Sequence, residues 1–228
     1  MADLPITDPE RSQPPGDRAA WWIAVLFAAG SLLFFIAPFP GFVQVFGSAA
    51  AGTAFFAGSV LFTVAAVIQC AVTYRAEASR PIDWCSSILL LAGTVFFNVN
   101  TFRATRTGFD HPEYNRLVWV PNILGSLCFV VWGYLAYVQA CGGFNPWPRH
   151  RTRAWTIVVI YFVGCIAFGI AAVASRYVPS TGGVADLAAA NISIVFGALC
   201  FGVGALMELT GSRPTDPAAP SGDPSPDS

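Results

Sequence analysis

Gly30-Ser31-Leu32-Leu33-Phe34-Phe35-Ile36 is a seven-residue phrase that this chain uses six times. Each copy runs Gly, a small residue, two apolar residues, Phe, any residue, then Ile or Val. The other copies start at Gly58, Gly93, Gly125, Gly164 and Gly197, with phenylalanines at Phe62, Phe97, Phe129, Phe168 and Phe201. A membrane-spanning helix needs about 20 apolar residues, because each rises about 1.5 Å across about 30 Å of hydrocarbon. Every copy sits inside an apolar run of that kind. The runs predict helices at about 20–37, 50–72, 84–102, 117–140, 154–175 and 187–209. The fold class expected is all-α: a polytopic six-helix transmembrane bundle.

Working outward from the phrase, its Gly and Phe are four residues apart and share one helix face. Gly lets a neighbouring backbone approach closely, and Phe covers the next turn of that neighbour. Helices in lipid associate through such close packing, since the hydrophobic effect does not separate helix from acyl tail. The six glycines are therefore expected in helix–helix contacts.

The composition agrees with a membrane protein. Of 228 residues, 55% are hydrophobic and 11% charged, against about 25% charged in soluble domains. A net charge of -1 argues against nucleic acid as a partner. The expected partner is the lipid bilayer, with room for a homo-oligomer or a membrane partner. Every basic residue is Arg, a bias of GC-rich codons that suggests a bacterial source. Segments 1–18 and 212–228 are rich in Pro, Asp and Ser. They lack the apolar surface to offset ordering entropy and read as disordered tails around a domain at 19–211.

Pro38-Phe39-Pro40-Gly41 supplies the break between the first two helices. With six spans, both termini share a face with Arg11, Arg18, Arg75, Arg80, Arg149, Arg151, Arg153 and Arg213. Arg103, Arg106, Arg116 and Arg176 lie on the other face. That asymmetry predicts cytoplasmic termini in a multi-pass protein of the cell membrane. Each odd helix opens with Arg followed by Trp: Arg18 then Trp22, Arg80 then Trp84, Arg153 then Trp155. The recurrence suggests three tandem two-helix hairpins.

No ionisable residue lies in the middle of a predicted span, which counts against a proton-coupled pump. Uncharged polar residues gather on helices 3 and 4. Thr94, Asn98 and Thr101 share a face, Asn100 points elsewhere, and Asn122 and Ser126 are one turn apart. An unpaired amide in hydrocarbon costs several kcal/mol, so these groups need partners. They are expected to meet across the helix 3–4 interface, with Asn98 or Thr101 facing Asn122 or Ser126. Two roles follow: interhelical glue, or a ligand-binding face of Asn98, Asn100, Thr101, Asn122 and Ser126 with Arg103 at its outer rim. The six cysteines show no C-x-x-C, and His111 and His150 have no triad or ligand spacing. No metal, cofactor or catalytic residue is expected, and the chain does not read as an enzyme.

Gly-Ser-x-x-Phe after Trp-led apolar helices resembles the YrhK-like family of small bacterial membrane domains. Phe97-Asn98-x-Asn100-Thr101 and Trp119-x-Pro121-Asn122-x-x-Gly125-Ser126-x-Cys128-Phe129 are similar to longer polytopic proteins associated with that family. The resemblance covers residues 20–211, departs at Cys165 and Ala198, and implies a fold without implying a reaction. The function expected is a non-enzymatic structural or partner-binding unit. The alternative is a carrier or channel for a small neutral or lipid-like molecule.

Overall fold

The computed structural model describes residues 15–76, 80–108, 111–142 and 152–211. Six helices are long and apolar enough to cross a membrane. They are α1 (Pro15–Ile36), α2 (Pro40–Arg75), α3 (Pro81–Ala104), α4 (Val120–Ala140), α5 (Arg153–Ala174) and α6 (Leu187–Gly211). The tail expected at 212–228 lies outside the described residues, as does 1–14, while residues 15–18 belong to α1.

Local chemistry places the helix starts. Arg80 caps α3 in a box closed by Asp83, whose carboxylate accepts the Arg80 backbone N–H at 2.8 Å. Such a box satisfies donors that a helix start otherwise leaves orphaned. The Thr152 hydroxyl accepts the Trp155 N–H at 3.1 Å to start α5. Asp186 accepts the Ala189 N–H at 2.9 Å to start α6.

Helix α2 departs most from the expected boundaries. It begins at Pro40, ten residues before the expected residue 50, and carries a break at Gly47, where φ is 85°. Pro at the first helical position is preorganised for a helix start. Pro38–Gly41 therefore makes a tight corner rather than a loop. The break falls on Gly47 because a positive φ is open to Gly at little cost. Helix α4 is preceded by a π-helical turn, Asn115–Trp119. Pro121 cannot donate to the Leu117 carbonyl and its ring crowds it, and a widened turn accommodates both. A short hairpin of β1 (Tyr177–Val178) and β2 (Gly183–Val184), unforeseen in the sequence, joins α5 to α6.

Each helix packs on the next, and α6 returns to α1, so the bundle is a closed ring. Within each hairpin the phrases seat each other reciprocally. A Cβ built on Gly30 would lie 2.8 Å from the Phe62 ring, and one on Gly58 would lie 2.7 Å from the Phe34 ring. Gly93 and Gly125 receive Phe129 and Phe97 in the same way, and Gly164 and Gly197 receive Phe201 and Phe168. All six glycines lie in helix contacts.

Antiparallel neighbours then sort the phenylalanines by depth. Phe follows Gly by one turn, so in odd helices it lies toward the face away from the chain ends, and in even helices toward the terminal face. Phe34, Phe97 and Phe168 form one layer of rings; Phe62, Phe129 and Phe201 form the next. Ring centroids link them at 5.7 Å (Phe34–Phe62), 4.9 Å (Phe97–Phe129) and 5.6 Å (Phe168–Phe201) within hairpins. Between hairpins, Phe34–Phe168 at 6.0 Å and Phe62–Phe201 at 5.6 Å close the set. Seven residues before the odd-layer rings, Phe27, Leu90 and Tyr161 supply a third buried layer. At 1.5 Å per residue, the whole stack is about 10 Å thick.

Candidate functional site

The stacked layers divide the ring axis into two cavities. Toward the chain ends lies one of about 860 Å³, floored by Phe27, Leu90, Trp132 and Tyr161. Its walls carry Asp83, Arg153, Glu208, Gln69 and Gln139. Arg153 donates to the Met207 carbonyl and the Thr210 hydroxyl, holding the start of α5 to the end of α6. Tyr161 faces the Glu208 carboxylate across this floor.

Beyond the layers lies a cavity of about 190 Å³. Phe34, Phe97 and Phe168 form its floor, and Asn100, Thr101, Asn122 and Ser175 line its wall along with Tyr114 and Trp119. Among the described residues, none of the side chains lining it is a carboxylate or a base. Burial pushes the Tyr114 phenol up to about 12, so it too is neutral across the physiological range. Between the cavities, a void of about 20 Å³ is enclosed by five phenylalanines and Ser59. That is room for about one water molecule. In this conformation the axis is closed to anything larger.

The predicted polar residues divide among three interfaces. Asn98 and Thr101 do not face helix 4, contrary to expectation. The Ser59 hydroxyl donates to Asn98 Oδ1 at 2.6 Å and lies 2.9 Å from the Thr101 hydroxyl, while Asn98 Nδ2 donates to the Thr63 hydroxyl at 2.7 Å. These bonds join α3 to α2. Asn122 donates to Ser175 at 3.0 Å, and Ser126 donates to the Phe168 carbonyl at 3.2 Å, joining α4 to α5. The physical reason is that Gly93 and Phe97 commit one side of α3 to α4 and the axis. The adjoining Asn98 side is thereby turned to α2. Asn100, set apart in the sequence, is the residue that reaches helix 4's entry, donating to the Val118 carbonyl at 2.8 Å.

The cavity nevertheless reunites part of the predicted set. Asn100, Thr101 and Asn122 line it; Asn98 and Ser126 are spent in the seams, and Arg103 is exposed outside it. Ser175, Tyr114 and Trp119 are the functional candidates the sequence reading missed. Trp119 donates to the Ala172 carbonyl at 2.8 Å. Asn115 exchanges hydrogen bonds with the Tyr177 backbone, donating to its carbonyl at 2.9 Å and accepting its N–H at 3.0 Å. No spacing in the sequence ties these residues across more than fifty positions.

Separate seams imply separate energetics. Asn98→Leu and Thr63→Val are expected to couple in a double-mutant cycle, because each removes the other's partner. Asn98→Leu and Asn122→Leu should be additive within about 0.5 kcal/mol. Unfolding of the three single and two double variants in one detergent checks this. Strong coupling of Asn98 to Asn122 would contradict the hydrogen-bond assignment.

No protein-family model, curated protein or solved structure matches the chain.

Proposed function

We propose that the protein is a carrier or channel for a small uncharged solute, moving along the axis of the six-helix ring. The observation that carries this is the pair of cavities facing each other across the phenylalanine layers. A unit with only a structural or partner-binding role has no need of them. The smaller cavity supports an uncharged solute. It offers amide, hydroxyl and indole groups beside aromatic rings, the few convergent polar groups in an apolar setting that small-molecule sites use. The larger cavity, with charged groups on its walls, supports a hydrated entry.

In this proposal the terminal face is cytoplasmic, in keeping with the arginine asymmetry, and the protein carries out no covalent chemistry. Three tandem hairpins sharing one phrase support descent from an internal repeat. The same phrase supports kinship with the YrhK-like domains of bacteria.

Glycerol is a suitable probe, being small, neutral and rich in hydroxyls. Liposomes containing the protein are expected to re-swell in a glycerol gradient faster than protein-free liposomes. Asn122→Leu should slow that rate, with melting measured in parallel to establish that the variant is folded. Wild-type liposomes no faster than empty ones, for glycerol and for urea, would refute the proposal.

A further inference from the structure

Both carboxamides of the smaller cavity are held in one orientation by the protein. Asn100 Nδ2 lies 2.8 Å from the Val118 carbonyl, and a carbonyl oxygen only accepts, so that end of the amide is the donor. Ser175 commits its hydroxyl proton to the Ala172 carbonyl at 3.0 Å. Its oxygen therefore accepts from Asn122, whose Nδ2 lies 3.0 Å away. Each amide thus spends one N–H within the protein. It keeps its C=O and a second N–H.

The Asn100 and Asn122 oxygens take no hydrogen bond from any described residue, and neither is among the interior polar atoms sealed from contact. Both side chains line the cavity, so the oxygens open onto it. Two other lining donors are already committed. Thr101 donates to the Phe97 carbonyl at 2.8 Å, and the Trp119 indole to the Ala172 carbonyl at 2.8 Å. Around the amides stand flat aromatic faces, those of Phe34, Phe97, Phe168 and Trp119. A small cation would also suit the oxygens, but it would be buried with no carboxylate beside it among the described lining residues, a costly state. Arg176 adds a positive charge over the Trp119 ring, 5.7 Å from its centroid.

We infer that the smaller cavity selects a planar, neutral amide of urea's size and kind. Its N–H groups donate to the Asn100 and Asn122 oxygens while its flat faces lie against the rings. An amide carries a donor and an acceptor side by side, the complement of what each carboxamide has left. At about 190 Å³, the cavity falls below the range that takes drug-sized ligands. The inference rests on the proposed role of this cavity as the solute site and narrows the solute to one class.

Protection of a cavity thiol reads binding separately from passage. In a chain whose native cysteines are replaced, Ala104→Cys places a thiol in the cavity wall. Its alkylation by a maleimide is timed in detergent with urea, acetone or glycerol present. Acetone matches urea in shape but has methyl groups in place of both NH2 groups. Half-protection should need about five-fold less urea than acetone, the worth of one neutral hydrogen bond, and less urea than glycerol. Asn122→Leu in the same chain should bring urea to the acetone value. A chain keeping only Cys85, exposed near the other end of α3, should alkylate at one rate throughout. The comparison of the three solutes decides alone if Asn122→Leu does not fold. Equal protection by urea and acetone, stronger protection by glycerol, or no protection by any of the three would overturn the amide class, even where liposomes pass glycerol. Urea protection in a protein that passes neither urea nor glycerol would uphold the class and remove only carriage.

Discussion

Gly58→Leu is expected to destabilise the detergent-solubilised protein by about 3 kcal/mol, at the upper end of overpacking costs. The first added carbon alone would sit 2.7 Å from the Phe34 ring and 3.1 Å from the Gly30 carbonyl oxygen. The ring has little room to swing, because Phe55, Phe62 and Phe168 already pack against it, and the backbone oxygen cannot move without opening the hairpin. Relief from the helix penalty of Gly, about 1 kcal/mol, offsets only part of this. Gly169→Leu is the matched comparison. Its Cβ would meet Val130 at 3.6 Å, an ordinary contact, and the longer side chain enters an open groove. A loss below about 1 kcal/mol is expected there. Unfolding under identical detergent conditions checks both, and equal losses would contradict the reciprocal seating of Gly and Phe.

The second large effect concerns the layers themselves. Phe201 is fully buried, with Tyr161 at 5.1 Å, Phe62 and Phe168 at 5.6 Å and Phe129 at 5.8 Å between ring centroids. Phe201→Ala removes the ring shared by most of these contacts and should cost about 3–5 kcal/mol, as large-to-small core changes do. It should also raise glycerol permeability of proteoliposomes above the wild-type rate, since the lost ring is part of the barrier between the cavities. Phe196→Ala, on the same helix but 48% exposed on the outside, should change neither quantity much. Lower stability with unchanged permeability would make Phe201 a packing residue only.

Much of the architecture is legible in the amino-acid sequence. Hydropathy located all six spans, and the Gly-to-Phe spacing predicted that Gly30 through Gly197 would lie in contacts. Two things were not legible. Periodicity puts Asn98 and Thr101 on one face but does not say which neighbour that face meets; ring closure and the commitment of Gly93 to α4 decide it. Depth was the other. That Phe34 and Phe62 belong to different layers follows from antiparallel pairing, which a linear phrase does not display. Ser175 and Tyr177 entered the picture only through hydrogen bonds to residues more than fifty positions away. The corner at Pro38–Gly41 illustrates a local limit: Pro marks a break, yet Pro40 also starts the next helix, and only the positive φ of Gly47 shows where that helix bends.

Thiol accessibility from each side of the membrane tests the axial account most directly. Ala136 lines the larger cavity and Ala104 the smaller one, while the native Cys165 is fully buried. In chains whose remaining cysteines are replaced, Ala136→Cys should react with a membrane-impermeant thiol reagent only from the face bearing the chain ends. Ala104→Cys should react only from the opposite face, and Cys165 from neither. Ala136→Cys and Ala104→Cys reacting from the same face, or Cys165 reacting freely, would contradict two cavities closed off from each other by phenylalanine.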